Sequence, residues 1–125
     1  MQNANVLCVD LGGTNLRHGV VNYQGNLKNF GILTLSDDEK SPHGIIKILC
    51  KIMNSAKENF NAIGIAIPGF IDFDEEVVVS SPNFPTWRNF RIKKILMEKT
   101  GVPVLIENDA NAFTIGEAWK GAGKE

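Results

Sequence analysis

Near the start of the 125-residue chain, residues 6–15 have the sequence Val6-Leu7-Cys8-Val9-Asp10-Leu11-Gly12-Gly13-Thr14-Asn15. Its first half is typical of a short apolar β-strand that ends in an acid, and residues 16–21 predict a second strand directly after the loop. Two adjacent glycines permit a tight turn between the strands, and their N–H groups can face phosphate oxygens. A Gly-Gly hairpin turn without a ligand is the alternative interpretation of the glycines alone.

This loop differs from both familiar nucleotide-binding loops. The chain contains neither the G-x-x-x-x-G-K-[ST] pattern nor a G-x-G-x-x-G that opens a helix. Gly12 and Gly13 instead join strand to strand, with Asp10 before them and Thr14 after them. Because Mg²⁺ prefers one or two carboxylates together with phosphates, Asp10 is a candidate metal-binding residue. The glycines and the Thr14 hydroxyl are candidates for holding the terminal phosphates of ATP.

A second candidate site lies at Ile106-Glu107-Asn108-Asp109-Ala110-Asn111-Ala112. An apolar strand over 103–106 is expected to end there, and a helix over about 110–120 to begin. Ligands of open α/β sheets bind at the carboxyl ends of the strands. Asp109 can therefore take a proton from a substrate hydroxyl while the neighbouring amides bind other hydroxyls. Simple capping of the helix by Asn108 or Asp109 is the alternative.

The hydrophobic pattern predicts an antiparallel meander followed by alternating helices and strands. The predicted elements are strands 6–10, 16–22 and 27–35, helix 42–59, strand 62–67, a hairpin of 70–74 and 77–80, helix 90–100, strand 103–106 and helix 110–120. The buried stripe of the first helix consists of Ile45, Ile48, Leu49, Ile52 and Ala56. Strand 62–67 is apolar on both faces, as expected of a central parallel strand.

Composition is that of an ordinary globular domain, with 43% hydrophobic residues, 22% charged residues and a net charge of −1. The near-neutral balance offers no electrostatic basis for binding nucleic acid or a membrane surface. No apolar run approaches the roughly 20 residues that span a bilayer. Cys8 and Cys50 form no C-x-x-C pair, which favours free thiols in the cytoplasm over a disulfide.

Four motifs together resemble the N-terminal domain of the ROK family (repressors, open reading frames and kinases), and most closely its glucokinases. They are Asp10-Leu11-Gly12-Gly13-Thr14-Asn15, Gly64-Ile65-Ala66-Ile67-Pro68-Gly69, Ser81-Pro82-Asn83-Phe84-Pro85-Thr86-Trp87 and Glu107-Asn108-Asp109-Ala110-Asn111-Ala112. The resemblance implies a ribonuclease-H-like α/β domain of the actin and hexokinase type. Such a domain has a mixed sheet, built from a three-stranded antiparallel meander plus parallel strands, with helices on both faces.

The resemblance also implies roles for individual residues in a kinase that phosphorylates glucose or a related hexose. Asp109 would be the general base on the sugar 6-hydroxyl, and Asp10 would position Mg²⁺. The sugar would contact Gly69, Asn83, Asn108 and Asp109. The ATP phosphates would contact Asp10, Gly12, Gly13, Thr14 and Asn15. Trp87 can stack on a sugar or anchor its loop, and we expect the anchor. We expect Arg17 to be a surface charge.

Residues 1–125 correspond to the first of two domains in the family. The second carries another phosphate turn, most of the adenosine site and usually a structural zinc, so we expect little turnover from this chain alone. Family members are commonly dimers, and a homodimer is therefore expected. The alternatives are a sugar-responsive transcriptional repressor and a sugar-binding or actin-like scaffold without catalysis. A repressor places a helix-turn-helix before the first strand, where about five residues stand here. The intact Asp109 argues against a scaffold.

Overall fold

The computed structural model describes residues 5–56 and 59–108. Its elements are β1 (Asn5–Leu11), β2 (Asn15–Asn22), β3 (Leu27–Thr34), α1 (Pro42–Ser55), β4 (Ala62–Ile67), β5 (Phe70–Asp72), β6 (Val77–Ser80), α2 (Ile92–Thr100) and β7 (Val104–Asn108). The loop before α1, predicted as irregular, contains a short 3₁₀ helix over Asp38–Lys40. Asp109 and the helix predicted over 110–120 lie outside the described residues.

Five strands form the main sheet in the order β3-β2-β1-β4-β7. The β1–β2 and β2–β3 pairs are antiparallel, whereas β1 pairs with β4 and β4 with β7 in parallel. The predicted meander and the predicted central parallel strand β4 are therefore confirmed. Because β1, β4 and β7 run in the same direction, their carboxyl ends meet at one edge of the sheet.

The hydrophobic core lies on one face of this sheet. Alternate residues of the strands are buried there, among them Leu7, Val9, Ile63, Ile65 and Ile106. The buried residues of α1 and α2 belong to the same cluster, so both described helices cover this face. Leu105, which alternates to the opposite face, is 62% exposed. Fully burying an aliphatic side chain of this size contributes about 1.5–3 kcal/mol, so the covered face carries most of the hydrophobic stabilisation.

Helix α1 starts as local rules predict and ends earlier than they predict. The Ser41 hydroxyl accepts the Gly44 N–H at 3.0 Å, and Pro42 occupies the first helical position. The helix was expected to reach Asn59 but ends at Ser55, where Ala56 turns to an extended conformation (φ −63°, ψ 121°). Ala56 is therefore no part of the helical stripe.

After α1 the chain re-enters the sheet beside the start of β1. The Asn61 N–H donates to the carbonyl oxygen of Asn5 at 2.8 Å, and the Asn5 N–H donates to Asn61 Oδ1 at 2.9 Å. These bonds set the start of β4 beside the start of β1.

The second helix also differs from its predicted start. Phe90 was expected to open it, but Phe90 instead exchanges two backbone hydrogen bonds with Val78 of β6, at 2.8 and 2.9 Å. Helix α2 therefore begins at Ile92. Its end agrees with the prediction, since Gly101 adopts the left-handed conformation (φ 74°) and donates its N–H to Met97.

Some strands end at residues other than those predicted, because backbone pairing with the neighbouring strand continues further or stops sooner. β7 was expected to end at Ile106, but Glu107 and Asn108 continue the ladder by pairing with Ala66 and Ile67 of β4. β3 ends one residue before Leu35, and β5 ends at Asp72.

Over the described residues, neither helix is long and apolar enough to cross a bilayer.

Candidate functional site

The Gly-Gly loop forms a tight turn between β1 and β2. The Gly12 N–H donates to the Asn15 carbonyl oxygen at 2.9 Å. A Cβ atom on Gly12 would lie 2.8 Å from that oxygen, a separation that real Cβ atoms do not show, so glycine is required here. The carbonyl oxygen of Thr14 accepts the Leu35 N–H at 2.8 Å, which ties the loop to the end of β3. Asp10 and Thr14 are exposed and accessible to a ligand.

The loop after β6 reaches back to this turn through Asn83. A Cβ atom on Gly13 would lie 3.2 Å from Asn83 Nδ2 and 3.3 Å from both Asn83 Cβ and Cγ. The Asn83 side chain therefore lies directly against the backbone of the glycine turn. Two motifs that are far apart in sequence, one predicted for phosphate and one for sugar, are thus in contact.

Trp87 anchors the loop that carries Asn83. Its side chain is fully buried, and its Nε1–H donates to the carbonyl oxygen of Lys40 at 2.8 Å. The Trp87 ring stacks on Phe84, with centroids 4.3 Å apart, and meets Phe90 edge-on at 4.8 Å. The predicted anchor is confirmed, because a ring packed on these sides and buried offers no face to a sugar.

Ser81 links the same loop to the turn that follows β4. It is 4% exposed, and its hydroxyl donates a short hydrogen bond to the carbonyl oxygen of Pro68. Gly69 has a φ of +148°, and a Cβ there would collide with the carbonyl oxygen of Ser80, so glycine is required. Sequence reasoning missed Ser81, because a serine before Pro82 resembles any loop serine.

Charged residues on three strands lie in one row near the carboxyl ends of the parallel strands. Asp10 pairs with Ala66, and Ala66 pairs with Glu107. Residues paired in this way face the same side of the sheet, so Glu107 shares a face with Asp10. Arg17 lies directly opposite Asp10 in the β1–β2 pairing and is exposed, as expected of a surface charge. Because Glu107 alternates with Asn108, the sequence predicts that its side chain points away from the site, but the register of β7 places it on the face of Asp10.

The predicted site residues converge as far as the described chain extends. Asp10 and the glycine turn follow β1, Gly69 follows β4, and Asn108 closes β7 beside Ile67. Asn83 reaches the same edge through its contact with Gly13. Asp109, the predicted base, is the next residue after Asn108 and lies outside the described residues.

The donor set suits a magnesium ion held mainly by its phosphate ligand. In the part of the chain that the structure describes, no three His, Cys, Asp or Glu residues are placed to hold a metal ion together. Mg²⁺ needs only one or two protein carboxylates when phosphates supply other ligands. The exposed Asp10 beside the glycine turn fits this requirement.

Cys8 stands two residues before Asp10 on β1, as a free thiol. Burial raises the pKa of the Cys8 thiol above its ordinary value. Cys50 is likewise a free thiol in this structure. Away from the site, hydrogen bonding from Ser36 lowers the pKa of Glu39, whose carboxylate accepts the Ser36 N–H at 2.8 Å.

Comparison with known proteins finds sugar kinases among the relatives of this chain. The chain is 38% identical to the glucokinase of Thermotoga maritima, covering 99% of this chain and 39% of that protein. It is 34% identical to a beta-glucoside kinase of Listeria monocytogenes, covering 96% and 40%. The structure of a ROK family glucokinase from Streptomyces griseus in complex with glucose and AMPPNP superposes with a TM-score of 0.76, at 30% identity, covering 87% and 34%.

The chain thus spans about two fifths of the length of these curated relatives. Its fold is that of the actin and hexokinase ATPase domain, as the mixed sheet and the similarity to this glucokinase structure indicate. The sequence profile of the ROK family matches residues 6–125, which is nearly the whole chain. On this evidence, the chain belongs to the ROK family.

Proposed function

We propose that this chain is the N-terminal domain of an ATP-dependent hexokinase, with glucose as the preferred sugar. The observation that carries the proposal is the contact between Gly13 and Asn83. It sets a turn suited to phosphate directly beside a side chain suited to a sugar hydroxyl. A phosphoryl donor and an acceptor hydroxyl must meet in this way, since most catalysis of phosphoryl transfer is positioning and charge neutralisation.

In this proposal the sugar lies at the carboxyl ends of β4 and β7. Asn83 and Asn108 bind its hydroxyls through their side-chain amides, and the backbone at Gly69 approaches the sugar closely. Asp109 accepts the proton of the 6-hydroxyl as that oxygen attacks the terminal phosphorus of ATP. A general base placed in this way contributes about 10²–10⁴-fold to the rate.

The phosphates lie at the carboxyl end of β1, against the turn between β1 and β2. The N–H groups of Gly12 and Gly13, the Thr14 hydroxyl and the Asn15 side chain hold them. Asp10 holds the Mg²⁺ ion, which when bound neutralises charge on the phosphates. The names of the relatives support ATP and a glucose-type sugar, because one is a glucokinase crystallised with glucose and AMPPNP.

The remaining parts of the proposal concern the whole protein. A second domain completes the adenosine site and closes over the sugar, which excludes water. We therefore expect the 125-residue chain alone to bind sugar weakly and to turn over little. The whole protein is proposed to be cytoplasmic and homodimeric, with no nucleic-acid or membrane partner.

The test is ADP release by the full-length gene product that carries this chain. The sugars are glucose, mannose, fructose, N-acetylglucosamine, N-acetylmannosamine and a β-glucoside, the last because some relatives are beta-glucoside kinases. Asp109→Asn is compared with the wild type and with Asp38→Asn, a matched change at an exposed position. We expect turnover on glucose that falls by about 10²-fold or more in Asp109→Asn alone.

Three results would change the proposal. Turnover that prefers another sugar on the panel would keep the kinase and replace glucose as its substrate. Sugar binding without turnover on any sugar would replace the kinase with a sensor or repressor. Equal losses in Asp109→Asn and Asp38→Asn would remove Asp109 from the mechanism.

A further inference from the structure

Ser81 is the only polar residue that is buried among the residues that the structure describes. A buried hydroxyl is costly unless it is hydrogen-bonded, and the Ser81 hydroxyl donates to the carbonyl oxygen of Pro68. The bond joins two loops that follow different strands, since Pro68 comes after β4 and Ser81 comes after β6. It therefore fixes two segments against each other that lie 13 residues apart in sequence.

On one side, Ser81 lies against the backbone of Gly69. A Cβ atom on Gly69 would lie 3.0 Å from Ser81 Cα and 3.1 Å from Ser81 Cβ, so the two residues are in direct contact. The carbonyl oxygen that Ser81 holds belongs to the peptide group between Pro68 and Gly69. Because this peptide group is planar and trans, the same bond directs the Gly69 N–H away from Ser81. Ser81 therefore orients the backbone that approaches the sugar in the proposed function.

On its other side, Ser81 begins the turn that carries Asn83. The Ser81 carbonyl oxygen accepts the Phe84 N–H at 3.2 Å, which closes a four-residue turn with Pro82 and Asn83 at its centre. Proline suits the first central position of such a turn because its φ is fixed. Ser81 and Phe84 are buried, whereas Asn83 is exposed. The turn thus presents Asn83 to a ligand while both its ends are held in the core.

We propose that Ser81 is a positioning residue of the sugar site, which holds Gly69 and Asn83 at a fixed separation. This inference rests on the proposed function, because it takes both of those residues as sugar contacts. Ser81 acts through them, so that a sugar does not have to order the two loops when it binds. Loss of its hydroxyl weakens sugar binding. The phosphate turn stays in place, because its own backbone bonds at Gly12 and Thr14 hold it.

The test is the binding of glucose to the full-length gene product, measured by isothermal titration calorimetry. The proteins compared are the wild type, Ser81→Ala and Ile52→Val. The stoichiometry reports the folded fraction, whereas the Kd reports the site in the folded molecules. Since a displacement of about 1 Å can cost about 10²-fold, we expect a partial displacement in Ser81→Ala to raise the glucose Kd about tenfold. Ile52→Val removes a buried methyl group from α1, which carries neither loop, and should leave the Kd unchanged.

Steady-state kinetics separate positioning from stability. A variant that is only less stable contains less active enzyme, which lowers the apparent kcat and leaves both KM values unchanged. The positioning role instead predicts that Ser81→Ala raises the KM for glucose about tenfold and keeps the KM for ATP within about twofold. A folded Ser81→Ala enzyme with the glucose Kd and KM of the wild type would overturn the proposal.

Two exposed prolines test the turn without changing the core, so they remain informative if Ser81→Ala does not fold. Pro82 lies between Ser81 and Asn83, and Pro85 occupies the same position in the next turn of the loop. Removing a proline frees the backbone that it restricts, so we expect Pro82→Ala to raise the glucose Kd about two- to fivefold. Pro85→Ala should leave it unchanged. Equal Kd values for the two variants would contradict the coupling of Asn83 to Ser81.

Failure of this role can be distinguished from failure of the proposed function. If the wild type neither binds nor phosphorylates glucose or any other sugar of the panel, the hexokinase assignment is wrong, and this role of Ser81 with it. If the wild type binds glucose and folded Ser81→Ala binds it equally well, only the positioning role is wrong.

Discussion

The side chain of Asn83 lies against Gly13, and a Cβ atom at Gly13 would approach Asn83 Nδ2 to 3.2 Å and Asn83 Cβ and Cγ to 3.3 Å. Gly13 does not have a left-handed φ, so its backbone conformation is open to alanine. A side chain at this position is therefore restricted by the space that Asn83 leaves, and not by backbone conformation. The contact couples the placement of Asn83 to the shape of the turn at Gly12 and Gly13.

Gly13→Ala is expected to displace the Asn83 side chain by a few tenths of an ångström. Since displacements of about 1 Å can cost about 10²-fold, we expect the KM for sugar in the full-length gene product to rise by about three- to tenfold. The 125-residue chain should remain folded. Its Asn83 side-chain amide signals, observed by NMR, should shift relative to the wild type.

Gly64→Ala is the matched control for this change. A Cβ atom on Gly64 would lie 3.8 Å from Val6 Cγ1, an ordinary van der Waals contact. Gly64 lies within β4, away from the loop of Asn83. Unchanged sugar kinetics in Gly13→Ala, or equal changes in both variants, would show that the contact does not matter for binding.

Ser81→Ala should destabilise the chain through the carbonyl oxygen of Pro68. Removing the hydroxyl leaves that buried oxygen without its donor, which costs about 1–3 kcal/mol of the free energy of unfolding. The measurement is urea denaturation followed by far-UV circular dichroism. Ser55→Ala removes a comparable bond, from Ser55 Oγ to the Ile52 carbonyl oxygen at 3.2 Å, at an exposed helix end. We expect Ser55→Ala to lower the free energy of unfolding by no more than about 0.5 kcal/mol. Similar losses in the two variants would count against a stabilising role for the hydrogen bond from Ser81 to Pro68.

Much of the fold follows from local sequence patterns, and the exceptions depend on contacts between segments that are far apart in sequence. The turn at Gly12 and Gly13, the cap at Ser41 and the left-handed Gly101 depend on neighbouring residues, and each was predictable from sequence. The end of α1 at Ser55 was not, because Ala56 carries no local stop signal. The start of α2 at Ile92 was not predicted either, because Phe90 instead pairs with Val78 of β6, which is distant in sequence.

In the candidate site, too, some features follow from local sequence and others depend on contacts between distant segments. The resemblance to the family motifs identified Asn83 as a candidate, and Asn108 also follows from its position, since amides beside a strand end suit hydroxyl groups. The contact of Asn83 with Gly13, the bond of Ser81 to Pro68 and the row shared by Asp10 and Glu107 depend on register and loop approach. No periodicity within one segment contains that information.

Trp87 should contribute strongly to stability through both its ring and its N–H group. Trp87→Phe keeps a ring near Phe84 but removes the donor to the Lys40 carbonyl oxygen. We therefore expect the free energy of unfolding to fall by about 1–2 kcal/mol. Trp87→Ala also leaves a cavity, which should raise the loss to about 3–5 kcal/mol. Thermal or urea unfolding measures both. Phe70→Ala, at an aromatic that is 72% exposed, should change little. A loss for Trp87→Ala no larger than that control would contradict the role of Trp87 as an anchor.

The Cys8 thiol should react slowly in the folded chain because burial raises its pKa. Cys50→Ser leaves Cys8 as the only thiol in the sequence, so its reaction with a disulfide reagent can be followed alone. In the chain unfolded by urea, the reaction rate should rise as the pH passes the ordinary thiol pKa of about 8.5. In the native chain, the rate should rise only at higher pH. A native rate equal to the unfolded rate at every pH would contradict the burial of this thiol.

The same shift predicts how Cys8 affects stability at alkaline pH. Above about pH 8.5 the unfolded chain has lost the thiol proton while the folded chain still retains it, so the folded state binds more protons. The free energy of unfolding should therefore fall as the pH rises through this range. Cys8→Ala removes the titrating group, and we expect its stability to fall less between pH 8 and 10 than that of the wild type. Parallel curves for the two proteins would mean that another group causes the alkaline loss.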